Sequence, residues 1–283
     1  ALSWLAFLVV IWGFSVPAAK LALASIPPFT LTALRYGIAA PCFVVLLWGK
    51  KLPSRRTLLV MIGIGVLGID VGQVTQILGI DRTTASLATV ISATIPLFTV
   101  IFAALRLGQR LAVQHLLGLA AALLGVGLAA LSGPGAFSSA GLLGDALLLG
   151  CSVSIALYYV LGTEIAPRAE PVTVAAWSSL AGLPGLIALS AWELRTVPLH
   201  PAPVAIGVVL YLGLLTTVAG MWIWLSCLRR LPVRIAASTQ YLQPLVGVAA
   251  SAALFGDPIG PLFGLGTAAV LVGIALASWP AKA

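Results

Sequence analysis

Charged residues are scarce in this chain. Only 8% of its 283 residues are Asp, Glu, Lys or Arg, where a soluble globular domain carries about 25%. Acids are the scarcest, with seven against 15 lysines and arginines. Hydrophobic residues make up 61%, and the mean hydropathy is +1.14. These values exclude a soluble enzyme, a nucleic-acid binder and a disordered chain. The solvent is a lipid bilayer. A helix needs about 20 apolar residues to cross one, so the length fits about ten spans joined by short loops.

Thiol, metal and hydrolytic chemistry are equally thin. Cys42, Cys151 and Cys227 lie inside apolar runs without metal-ligand spacing, and read as small buried residues. His115 and His200 lie near helix ends in separate halves. Asp70 has no second intramembrane aspartate as partner, and no Ser/His or Cys/His set converges at depth. The reading is therefore not an enzyme, with no metal and no cofactor.

Pro, Gly and charge punctuate the apolar runs. They mark spans at 3–24, 29–48, 57–78, 84–105, 111–131, 141–163, 172–192, 203–226, 233–255 and 261–279. The runs do not alternate in polarity as barrel strands do, so the spans are helices. The first run is too long for the core of a signal peptide. Basic residues set the orientation. With the N-terminus inside, Lys50, Lys51, Arg55, Arg56, Arg106, Arg110, Arg168, Arg229, Arg230, Arg234 and Lys282 fall in the cytoplasm. Only Arg82 and Arg195 fall outside, while Lys20 and Arg35 lie within helices. Both termini are thus expected in the cytoplasm.

A Gly/Ser stretch, SGPGAFSSAG at 132–141, divides the spans five and five. The segment 85–109 can be laid on 233–257 without a gap. Pro96 then falls on Pro244, Ala88 on Ala236, Leu97 on Leu245 and Gly108 on Gly256. The third and eighth spans share Ile-Gly and Leu-Gly pairs at Ile62-Gly63 and Leu67-Gly68, and at Ile206-Gly207 and Leu212-Gly213. Because five is odd, a duplicated second half enters the membrane from the opposite face. Inverted repeats of this kind build secondary transporters, with the substrate between the halves near the midplane. The expected fold is an all-α membrane protein of ten transmembrane helices in two inverted five-helix repeats. Residues 1–131 form the first repeat, 132–140 a loop, 141–279 the second repeat and 280–283 a tail.

WGFSVPAAK (12–20), ALRYGIAA (33–40) and LRRLPVRIAASTQYLQPL (228–245) resemble the repeat signatures of the drug/metabolite transporter superfamily, EamA type. The resemblance covers the whole chain, and is greatest to bacterial exporters of aromatic amino acids. It implies an inner-membrane protein acting on small molecules, and a monomer. A multidrug or other small-metabolite exporter of the same fold is the alternative. Where the family often has Gly-Glu after the fourth and ninth helices, this chain has Gly108-Gln109 and Gly256-Asp257.

Pro96 and Pro244 sit about 17 Å along their spans at 1.5 Å per residue. A mid-helix proline frees a carbonyl that polar side chains or water must satisfy. Thr89, Ser92 and Thr94 surround Pro96, and Ser238, Thr239, Gln240 and Gln243 surround Pro244. Gln240 and Gln243 offer both donors and acceptors. Trp12, Tyr158 and Tyr241 would supply an aromatic wall. The candidate substrate site is Trp12, Thr89, Ser92, Pro96, Tyr158, Gln240, Tyr241, Gln243 and Pro244. Arg35 and Asp70 lie at similar depth on neighbouring helices, and are expected to pair as a gating or coupling element. Lys20 would snorkel nearby. A nucleotide-sugar transporter would need a basic cavity, and no Lys or Arg is expected deep enough to make one. Trp4, Trp48, Trp192 and Trp279 sit at span ends as interface anchors. The fifth and tenth spans, rich in small residues, read as scaffold outside the path.

Overall fold

The computed structural model describes residues 2–108, 113–132, 138–165, 167–228 and 242–278. Among the described residues there is no strand. Eight helices are long and apolar enough to cross a bilayer, and two shorter apolar helices follow. They are α1 Leu2–Leu23, α2 Pro28–Leu47, α3 Arg55–Arg82, α4 Ala85–Leu107 and α5 Val113–Leu131. Then come α6 Ser139–Ile165, α7 Pro171–Glu193, α8 (Pro203–Leu210, Tyr211–Ala219 and Gly220–Leu228), α9 Gln243–Phe255 and α10 Pro261–Ser278. The expected boundaries hold to within a few residues. The first part of the expected ninth span lies outside the described residues.

The helix ends follow local chemistry. Pro28, Pro171 and Pro203 open α2, α7 and α8, where a missing N–H loses no bond and φ is already helical. Ser54 and Thr84 accept from Thr57 N and Leu87 N to cap α3 and α4. Gly108 and Gly256 close α4 and α9 with φ of 67° and 65°, the left-handed cap that glycine adopts without strain.

Two features interrupt the α-helices. In α3, Val66–Gln73 is a π-helix, and in α8, Tyr211–Ala219 is another. π-turns are rare, and are frequent at functional sites. The prolines act differently from expectation. Pro96 does not kink a continuous helix, and the chain ahead of Pro244 lies outside the described residues as far as Tyr241. Each stands in the first turn of a fresh helical segment, Ile95–Leu107 and Gln243–Phe255. At the α4 break Ile91 keeps partners for its carbonyl: Thr94 donates both its N–H at 3.0 Å and its hydroxyl at 2.7 Å.

The surface is apolar. Val45 is 69% exposed and Leu124 70%, which lipid tolerates and water does not. Trp4, Trp48 and Trp192 are exposed at helix ends. Trp279 lies outside the described residues. Because lipid is as apolar as leucine, close packing and polar bonds must hold the helices together. Glycine lets backbones approach closely between α5 and α10. A Cβ on Gly125 would stand 2.5 Å from the Gly266 carbonyl, and one on Gly118 2.5 Å from that of Gly273. The two contacts run in opposite chain directions, so α5 and α10 are antiparallel. Gly118 and Gly266 are separated by the same sequence offset as Pro96 and Pro244, and so are Gly125 and Gly273. Shifting the Gly118–Gly273 contact by that offset turns it into Gly266–Gly125. The small-residue spans expected as scaffold thus pack on each other.

Replacing Gly125 by alanine should destabilise the protein by about 1–3 kcal/mol through overpacking. Gly127, with open space around it, should tolerate alanine or gain about 1 kcal/mol of helix propensity. Thermal unfolding in detergent compares the two. Equal melting temperatures would reject the backbone contact.

Candidate functional site

The polar side chains of α1, α2 and α3 converge on one cavity. Ser15, Thr32, Arg35, Gln73 and Gln76 form its polar wall, and Val16, Ile77, Ile80 and Leu212 part of its apolar one. Its volume is about 20 Å³, room for a water molecule. Arg35 lies two turns inside α2, about 10 Å from its start. Its Nε donates to Thr217 Oγ1 at 2.9 Å, and its Nη1 to Gln73 Oε1 at 3.1 Å. Gln73 belongs to the π-segment of α3 and Thr217 to that of α8. One guanidinium therefore ties together both irregular segments.

The π-segments expose carbonyls, and neighbouring helices meet them. Ser154 of α6 donates to Leu67 O at 2.6 Å. Trp12 of α1 donates from Nε1 to Thr216 O at 2.9 Å. Thr217 also donates to Leu212 O at 2.8 Å, and Thr75 to Val71 O at 2.7 Å. Tyr158 of α6 packs against Gly68, where no Cβ would fit. Trp12 and Tyr158 were expected to line a substrate cavity. Each seats on the π-segment of the opposite half of the chain, Trp12 on α8 and Tyr158 on α3. The sequence signal for these segments is the glycines and threonines within them, not proline.

The remaining candidates divide. Thr89, Gln243 and Pro244 meet where α1, α4 and α9 cross. There a Cβ on Gly247 would stand 2.8 Å from Gly13 O, and one on Gly13 2.9 Å from Gln243 O. Pro244 and Thr89 are buried, and the Thr89 hydroxyl donates to Ala85 O at 2.8 Å. The Ser92 hydroxyl has no partner among the described residues, and Pro96 is exposed. None of Trp12, Thr89, Ser92, Pro96, Tyr158, Gln243 and Pro244 lines the Arg35 cavity. Gln240 and Tyr241 lie outside the described residues.

The expected Arg35–Asp70 pair does not form. Ion pairs within 4 Å among the described residues are Lys50–Glu170 and Arg106–Glu164. Asp70 turns instead to α7, where a Cβ on Gly185 would stand 2.7 Å from its Oδ1, and that oxygen is buried without a partner. Equal depth fixes height along a helix but not the direction a side chain faces. Lys20 donates to the Ile80 and Asp81 carbonyls at 2.8 Å each, closing the end of α3 rather than reaching Asp70. Glu164 takes the Arg106 guanidinium fork. Arg35 also corrects the expectation of no basic group in a cavity.

One functional-looking carboxylate escaped sequence reading. Glu193, at the end of α7, is 8% exposed. It accepts from Phe29 N at 3.2 Å, and from Thr30 N and Thr30 Oγ1 at 2.8 Å each. It thus caps α2 from another helix, where the helix dipole favours an anion. Asp257 does the same for α4, accepting from Ser86 N at 2.8 Å. Asp257, Asp81, Asp145, Lys20 and Arg82 line a separate chamber of about 310 Å³ at that end of the bundle.

Bilayer-length helices around a polar interior cavity are the build of a multi-pass membrane transporter. The pattern of the EamA-like transporter family matches residues 1–131 and 142–279. The chain belongs to that family. An uncharacterized transporter of Archaeoglobus fulgidus is 27% identical over 95% of each chain. The uncharacterized inner membrane transporter YedA of Escherichia coli K12 is 27% identical over 97% of this chain and 91% of its own. A crystal structure of another protein superposes with a TM-score of 0.66 over 96% of this chain and 94% of that one, at 20% identity. That likeness is one of fold.

Because Asp70 has no charged partner to strand, Asp70→Asn should leave stability within about 1 kcal/mol. Glu193→Leu should cost about 1.5–3 kcal/mol, the range for bonds to a charged group. Melting temperatures of the purified variants check both. A larger loss for Asp70→Asn than for Glu193→Leu would reverse the assignment.

Proposed function

We propose that this protein is a secondary transporter that exports amino acids, aromatic and other neutral ones, and related small metabolites by alternating access. In this reading it is a monomer of the bacterial inner membrane with both termini in the cytoplasm. Ten helices form two inverted repeats, which rock against each other. The observation that carries the reading is the reciprocity of contacts between the halves. The α5–α10 glycine contacts exchange under one sequence offset. Trp12 bonds the π-segment of α8 while Tyr158 packs on that of α3. The helix stops at Gly108 and Gly256 repeat at the same offset. A two-fold axis in the membrane plane accounts for all three. The polar cavity at Arg35 lies between helices of both halves, including Leu212 of α8.

Counterflow in proteoliposomes tests the function. Preloaded phenylalanine should drive uptake of labelled phenylalanine, and leucine should compete. Repeating the assay with a pH gradient separates proton coupling from exchange. Movement of a quaternary ammonium drug without any amino acid would replace this reading with multidrug export. Stacking on one aromatic ring contributes about 0.5–1.5 kcal/mol beyond area burial. Trp12→Ala and Tyr241→Ala should therefore weaken phenylalanine roughly 2- to 12-fold, and leucine less. Gln240→Leu should weaken both together. Equal effects of all three variants on both substrates would reject this division of roles.

A further inference from the structure

We propose that Arg35 is the anchor for a carboxylate on the transported molecule, and that the arriving carboxylate displaces Thr217 or Gln73 from the guanidinium. The proposal rests on the transport reading above and names the group that the site recognises.

Arg35 is a permanent cation inside a bilayer-length helix, and it lines the cavity itself. Its hydrogen-bond partners, Thr217 and Gln73, are both neutral. No described carboxylate lies within 4 Å of it. The acids on the surrounding helices face away from it. Asp70 faces Gly185 of α7, and Glu193 holds the start of α2. Asp81, Asp145 and Asp257 line the other chamber. A charge at membrane depth without a counter-ion is costly, and such residues mark substrate paths. A guanidinium has five N–H donors in a planar fork that fits a carboxylate with two parallel bonds. A carboxylate adds a full opposite charge and a second parallel bond to what a neutral acceptor offers the guanidinium, so it outcompetes an amide or a hydroxyl. Ser15, Thr32 and Gln76 remain for the polar groups beside it, and Val16, Ile77 and Leu212 for an apolar part.

At about 20 Å³ the cavity holds no amino acid, so the helices must part for one to enter. The bonds to be displaced are those that join the π-segments of α3 and α8. Displacing Thr217 from Arg35 frees α2 of one half from α8 of the other, while displacing Gln73 frees α3 from the guanidinium that links it to α8. Recognition of the carboxylate and separation of the halves thus share a single bond exchange.

Four probes that differ only in their head groups test this in proteoliposomes: phenylalanine, phenylalaninamide, phenethylamine and phenylacetate. Wild-type protein should prefer phenylalanine over its amide and over phenethylamine by about tenfold or more in competition. Phenylacetate should compete as well. In Arg35→Gln the acid-over-amide preference should fall to about one, and Arg35→Lys should retain part of it. Thr217→Val removes a competitor for the guanidinium, so it should tighten phenylalanine binding, where a merely structural role would weaken it. Should the Arg35 variants fail to fold, the wild-type probe series and Thr217→Val still decide. Equal handling of acid and amide by wild type, or an unchanged preference in Arg35→Gln, would overturn the anchor and leave the transport reading standing. If wild type moves none of the four while it moves another cargo without an anionic group, both readings fall.

Discussion

A guanidinium held inside an apolar bundle constrains everything around it. Water does not solvate Arg35 as it would on a surface, so helices must bring acceptors to it. Gln73 and Thr217 come from α3 and α8, and both ride on π-segments. For Thr217 to reach, α8 must approach α2 closely. Gly213 makes that possible, since a Cβ there would stand 2.9 Å from the carbonyl of Arg35 itself. The glycines, the irregular turns and the cavity are thus consequences of one charge.

The backbone obeys the same constraint. In a bilayer, each carbonyl that leaves the regular ladder needs another donor. The π-segments free carbonyls, and Ser154, Trp12, Thr75 and Thr217 return bonds to them. Two of these donors, Ser154 and Trp12, come from a different helix. Local irregularity is therefore what stitches the bundle across its seams. The helix starts at Pro96 and Pro244 need less help, because a proline in the first turn of a helix removes no bond that the helix would have made.

Much of the fold was legible because it depends on counting. Apolar runs of bilayer length and punctuation by Pro and Gly locate helices to within a few residues. The close packing of α5 and α10 was visible in their glycines. The site was less legible because it depends on direction. Arg35 and Asp70 share a depth, yet one faces α3 and α8 and the other faces α7. Gln73 looked unremarkable in sequence, as did Glu193 near the end of a span. Their roles follow from which helix lies opposite, and a single sequence does not state that. The π-segments left only a faint signal, glycines and threonines one turn apart, that ordinary helix packing also produces.

The contacts that join the halves differ in kind from end to end, and the difference bears on motion. At the α6–α7 turn, Glu164 and Glu170 meet Arg106 and Lys50 from the first half, on exposed side chains. Exposed pairs contribute about 0–1 kcal/mol, so they can part at little cost. At the other end, Glu193 and Asp257 hold backbone N–H groups at the starts of α2 and α4. Glu193 is buried, and removing it would leave donors without acceptors. The α5–α10 contact rests on the backbone approach that its glycines allow. Two conformations of one protein interconvert usefully only when they differ by a few kcal/mol. A bundle that parts at its exposed ion pairs and turns about its glycine seam meets that condition. The bonds on Arg35 then become the interior contact whose loss must be offset, and a charged cargo group is the partner able to offset it.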